Sequence, residues 1–88
     1  MMDRRIFWDE PKRQANLVRH RIDFADLTVD FFLAAVVVRA RDGRLAAIGA
    51  LEDRTVTAIF KPLGAEAISV ISLRPSSRQE RKTYATKI

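Results

Sequence analysis

Between Leu33 and Arg74 the chain repeats one pattern four times, an apolar β-prone run followed by a turn signal. The runs are "LAAVVVRAR", "RLAAIGALE", "TVTAIFKPL" and "AISVISLR", and the signals between them are Arg41-Asp42-Gly43, Glu52-Asp53-Arg54 and Gly64-Ala65-Glu66. Connections this short leave no room for a crossover helix, so consecutive runs must pair antiparallel, and the spacing predicts a four-stranded meander. Much of each run is apolar on both faces, so other elements must cover the sheet.

The segment before the runs supplies that cover. "RRIFWD" reads as a short aromatic strand that delivers the chain to a helix over "EPKRQANLVRH". Asp9 or Glu10 is placed to cap it, and Pro11 is tolerated in the first turn, where amides lack intrahelical acceptors. Its spacing turns Ala15, Leu17 and Val18 to one side and Lys12, Arg13 and Arg19 to water. A second helix starts at "IDFADL", with Asp23 as cap, Ile22 and Leu27 as a hydrophobic staple, and Phe24, Leu27 and Phe31 on the buried face. The two form a helical hairpin lying on the sheet, and Trp8 belongs to the core. After the fourth run Pro75 stops the strand. Ser76 or Ser77 then caps a last helix, with Gln79 or Glu80 closing a capping box. The predicted fold is α+β, in one domain spanning 1–88: a short N-terminal strand, a two-helix hairpin packed on a four-stranded antiparallel meander, and a C-terminal helix.

Composition narrows the chemistry. The chain has no cysteine and one histidine, so neither a disulfide framework nor a thiolate metal site is available, and no metal or cofactor is expected. No uncharged stretch is long enough for a membrane helix, and no signal-peptide layout opens the chain, so a cytoplasmic protein without membrane contact is expected. Sixteen basic and eleven acidic residues give a net charge of +5, which favours polyanionic partners. The charge is segregated: from Arg74 onward, Arg74, Arg78, Arg81, Lys82 and Lys87 face one acid, Glu80, whereas Asp23, Asp26 and Asp30 form an acidic run.

Taken in order, "FWDEPKRQANLVRHRIDF", "RLAAIG" and "ISLRPSSRQERKTY" resemble the BrnT family of toxins from bacterial type II toxin–antitoxin systems. The shared pattern is a Phe/Trp-Asp opening with Lys and Asn in the first helix, a Lys/Arg-His pair, an Arg before an apolar Ile-Gly strand, Ile-Ser-x-Arg, and Glu-Arg-x-x-Tyr. The resemblance covers nearly the whole chain. It implies a RelE-like fold, metal-independent endoribonuclease activity on mRNA, and a cognate BrnA-like antitoxin with a ribbon-helix-helix part, through which alone the toxin would meet operator DNA.

Cutting RNA without a metal requires activating the ribose 2′-OH, stabilising a pentacoordinate phosphate, and protonating the leaving oxygen. Guanidinium groups suit the second task, because a planar fork grips two phosphate oxygens and keeps its charge. Arg74, Arg78 and Arg81 are the first candidates, and Arg44 joins them through the resemblance, although strand parity puts it at the other end of the meander. Glu80 either pairs with basic neighbours or acts as a base, and Tyr84 either covers the sheet edge or moves a proton. His20 either complements the carbonyl-rich end of its helix or takes part in catalysis. Lys61 and Lys82 are candidates for RNA contact. The reading requires the guanidinium groups to share one cleft, free of their own chain's carboxylates.

The chain departs from the family pattern in three places, one of them a shorter segment between Phe31 and Arg41. Arg21 follows His20 where relatives have glycine, and Gly43 stands where an acid is expected. A catalytically weakened RNA-binding or operon-repressor module on the same fold is therefore the alternative.

Overall fold

The structure, a computed structural model, describes residues 5–87. Arg4 of the opening segment and Ile88 of the last helix lie outside the described residues. The elements run β1 (Arg5–Trp8), α1 (Glu10–His20), a 3-10 turn (Phe24–Asp26), α2 (Val29–Ala34), β2 (Val36–Arg39), a second 3-10 turn (Arg41–Gly43), β3 (Leu45–Leu51), β4 (Arg54–Leu63), β5 (Ala67–Pro75) and α3 (Arg78–Lys87).

Strands β2 to β5 form the antiparallel meander that the turn spacing predicts. The sheet nevertheless has five strands and is mixed, in the order β1-β5-β4-β3-β2, because β1 pairs parallel with β5. The four-stranded sheet expected from sequence is thus corrected. Without β1, the first half of β5 would be an edge of unpaired backbone groups, and the long intervening chain gives a parallel neighbour the crossover it needs.

One face carries the core. Ile22, Phe24, Leu27 and Phe31 pack on Ala47, Val56, Ala58, Phe60, Ile68, Val70 and Leu73. Trp8 reaches this cluster from β1, its ring edge-on to Phe24 at 6.2 Å between centroids. Gly49 lets the Phe31 ring pack closely here, because a Cβ would stand 3.0 Å from that ring and press it aside.

The helical lid differs from the expected hairpin in two ways. Asp23 caps as predicted, accepting from the Ala25 amide at 2.9 Å, but the helix ends after one 3-10 turn. Leu27 is extended, and Thr28 restarts the chain as α2 by accepting from the Phe31 amide at 3.1 Å. Short polar side chains that bond nearby amides compete with continuous helix, and the break lets Leu27 drop into the core. In α1 the apolar side is not the buried side. Val18 is 82% exposed and Leu17 36%, while Asn16 is the buried residue. The chain's cover for the sheet therefore comes from 22–31, and α1 packs beside β5 instead.

The opposite face is covered in part. Ala46 and Ile48 are buried there beneath α3, which lies over β3 and β2. A bulge in β5 sets the end of that strand: Phe60 pairs with Val70 but Ile59 with Ser72, leaving Ile71 as the extra residue. The added residue returns Leu73 to the core and turns Arg74 to the α3 face, opposite Thr57.

Candidate functional site

Where β1 stops at Trp8, β5 continues, and its backbone would be left open from Ile71 onward. Asn16 of α1 fills the gap. Its amide donates to the Leu73 carbonyl at 2.8 Å and accepts from the Leu73 amide at 3.1 Å, as a neighbouring strand would. The same NH₂ also donates to the Ile22 carbonyl at 3.2 Å, fixing the chain after the helix. Beside this bridge lies an open cleft of about 260 Å³, lined by Lys12, Ala15, Asn16, Arg19, Ile71 and Ser72. Lys12, Asn16 and Arg19 stand at i, i+4 and i+7, one face of the helix. Sequence reasoning left Lys12 and Arg19 on a solvated surface, although this spacing around a buried asparagine was the available signal.

Two residues beyond Ser72, on the same face of the strand, Arg74 meets the carboxylate of Glu80 in a fork, Nη1 to Oε1 at 2.7 Å and Nη2 to Oε2 at 2.9 Å. Glu80 is also held by the Ser77 amide at 2.8 Å and the Thr57 hydroxyl at 3.0 Å. In return Ser77 Oγ accepts from the Glu80 amide, so Ser77 and Glu80 form the reciprocal capping box predicted for α3. Thr57 is fully buried and 2.8 Å from Ser76 Oγ, and because its hydrogen is committed to Glu80, Ser76 is the donor. The Arg74 guanidinium is the main reason that the Glu80 carboxyl is held down at about 2, with the Ser77 and Thr57 bonds adding in the same sense and burial opposing. Glu80 in turn raises Arg74.

This arrangement changes the roles expected from sequence. Arg74 is not free of its own chain's carboxylates, as the convergent-arginine reading required. Its bonds to Glu80 and to the Pro75 carbonyl at 3.4 Å occupy three of five donors, leaving the Nε–H and the outer Nη2 hydrogen, which lie along one edge. Glu80, ionised at any working pH and with both oxygens engaged, is a poor proton acceptor and a strong orienting group. Arg81 donates from Nη1 to the Ser76 carbonyl at 2.8 Å, tying α3 to the strand end. Arg78 opens α3 and is exposed.

The other candidates are dispersed. Tyr84 is half-buried one turn beyond Glu80 on the same side of α3, whereas Lys82 lines a shallow hollow with Gln79, Thr83, Thr86 and Lys87. His20 ends α1, followed by Arg21, which takes the left-handed terminating conformation (φ 59°) despite its side chain. Arg44 lies by Arg39, Ala40, Gly43 and Leu45. It directly precedes Leu45, which pairs with Phe60, so it is level with Lys61 and Ser69, not with Arg74. Strand parity had pointed to this separation. Gly43 has φ 74°, a left-handed conformation that favours glycine in this turn. Among the described residues no group of three or more His, Cys, Asp or Glu side chains is placed to hold a metal ion, and no helix is long and apolar enough to cross a membrane.

Comparison with known proteins places the chain in a family. The family described as "Ribonuclease toxin, BrnT, of type II toxin-antitoxin system" matches residues 8–80. The chain belongs to the BrnT ribonuclease toxin family. The crystal structure of the Brucella abortus ribonuclease toxin, BrnT, is similar at 49% identity, with 89% of this chain and 100% of that chain covered and a TM-score of 0.79. No curated protein matches the chain. Membership in a type II toxin–antitoxin family implies a cognate antitoxin as partner.

Proposed function

We propose that this chain is an endoribonuclease that cuts mRNA without a metal and is neutralised by a cognate antitoxin seated on its basic cleft. The observation that carries the reading is the Arg74–Glu80 fork beside the cleft of Lys12 and Arg19. Glu80 acts as a positioning residue. It fixes the guanidinium so that the free Nε–Nη2 edge is aimed as a unit, and two parallel donors fit two non-bridging oxygens of a phosphodiester. Charge that builds on those oxygens as the 2′-OH attacks is stabilised by a group that needs no reorganisation. Lys12 and Arg19 hold the flanking phosphates. The partner is a short BrnA-like protein with a ribbon-helix-helix part, through which the pair would repress its own operon.

The test is cleavage of an mRNA by purified protein in the presence of EDTA. Wild type is expected to cut, and Arg74→Ala to lose about 10²- to 10³-fold in kcat, as when an oxyanion donor is removed. Antitoxin added in equimolar amount is expected to stop cleavage. A folded wild-type protein that leaves the RNA intact overturns the reading. Because Glu80 is unsuited to act as a base and Gly43 replaces an acid, the second reading is an RNA-binding module with weakened catalysis, which predicts salt-sensitive binding without cleavage.

A further inference from the structure

The half of the outer sheet face that α3 leaves uncovered has a composition of its own. α3 lies over β3 and β2 and its first turn covers Thr57 and Arg74, whereas farther along the outward face Phe7 and Lys61 are exposed and Ser69 is half-buried. Strand register puts Phe7, Ser69 and Lys61 in one row across that surface, since Phe7 pairs with Ser69 and Ser69 with Lys61. Ile6 and Trp8 point to the core, so Phe7 points away from it, and it is 47% exposed. The next row carries Arg5, and Arg44 is level with Lys61 on the far side. No acidic residue occurs in β1, β4 or β5, and Glu80, the carboxylate that reaches this face from α3, is committed to Arg74.

An aromatic ring left open on a sheet, with Lys61 in its row, Arg5 in the next and no acid in the strands that carry it, matches the two needs of single-stranded nucleic acid: a π-face for a base and positive charge for its backbone. We propose that Phe7 is the stacking platform of an RNA subsite on this face, with Lys61 and Arg5 holding the phosphates of the stacked nucleotide. The inference rests on the ribonuclease reading and adds the subsite that binds substrate away from the scissile bond. Four residues of β4, from Thr57 to Lys61, separate the level of Arg74 from that of Phe7, or about 13 Å. The stacked base therefore lies a few nucleotides from the phosphate at Arg74. This also gives Lys61 a place in substrate binding although it is remote from Arg74.

The experiment compares wild type with Phe7→Ala, Phe7→Leu and Phe7→Trp for anisotropy of a fluorescent single-stranded RNA and for KM and kcat of cleavage, with folding checked by circular dichroism. Phe7→Ala and Phe7→Leu are expected to weaken binding and raise KM by about 5- to 150-fold with little change in kcat, and Phe7→Trp to bind as wild type. Phe7→Leu keeps apolar bulk, so its loss isolates the π-face from simple packing. The salt slope is expected to stay unchanged in the Phe7 variants and to fall by about 0.7 in Lys61→Ala. An RNA with one abasic sugar at the stacked position is expected to bind wild type and Phe7→Ala alike. Wild-type cleavage with unaltered KM in Phe7→Ala, or full activity in Phe7→Leu, overturns the subsite alone. Variants that bind RNA normally but lose antitoxin overturn it in favour of a protein interface. Wild type that neither binds nor cuts RNA overturns the ribonuclease reading with it.

Discussion

Glu80 accepts four hydrogen bonds, from the two terminal nitrogens of Arg74, the Ser77 amide and the Thr57 hydroxyl. Its carboxyl is depressed from 4.5 to about 2, so between these pH values the unfolded chain takes up a proton that the folded chain refuses. The stabilisation is therefore complete above about pH 4.5 and lost as the pH falls toward 2. Solvent screens the partly open pair, which limits the effect to about 1–2 kcal/mol. Thermal melts of wild type are expected to fall more steeply between pH 4.5 and 2 than those of Glu80→Gln, which has no proton to gain. Parallel curves would mean that the fork is not formed in solution. The capping box of Ser77 and Glu80 was legible from a three-residue spacing, because it is local. The Arg74 fork was not, because it closes across a strand end, a proline and the first turn of a helix, a geometry that spacing does not encode.

Asn16 links two elements and shows where pattern reading of helices stops. Apolar periodicity finds the side of a helix that buries hydrocarbon, and α1 instead buries an amide against the open backbone of Leu73. The signal was a single asparagine among surface residues, and only the end of β1 at Trp8 makes it necessary. The meander, by contrast, was readable because short turns allow one arrangement, and the bulge at Ile71 was not, because it is set by how Leu73 and Arg74 must face. Removing the amide leaves a strand amide and two carbonyls unpaired, so Asn16→Ala is expected to cost about 2–4 kcal/mol in urea unfolding. Asn16→Asp is the sharper variant. Its carboxylate keeps an acceptor for the Leu73 amide but faces the Leu73 and Ile22 carbonyls with no hydrogen to donate. It is expected to be less stable than Asn16→Ala at pH 7 and to regain stability as acid restores a donor. Equal stability of Asn16→Asp and wild type at pH 7 would remove the edge-pairing role.

Across the molecule, a net charge of +5 says that polyanions are attracted, but not where they lie. The fold divides the basic groups: Lys12 and Arg19 line the α1–β5 cleft, Arg74 stands beside it, Lys61 lies farther along the sheet, and Arg39 and Arg41 sit near the β2–β3 turn. If the charge acted as a diffuse cloud, removing any one cation would weaken RNA binding about equally. If the strand follows the cleft and the open sheet face, only groups on that track release counterions, each contributing about 0.7 to the slope of log K against log salt. Lys12→Ala and Arg19→Ala are then expected each to flatten the slope by about that amount, and Arg39→Ala and Arg41→Ala to leave it unchanged. All four remove one positive charge, so net charge is matched and position is the variable. Equal slopes for the two pairs would return the molecule to the diffuse case, with no RNA track across it.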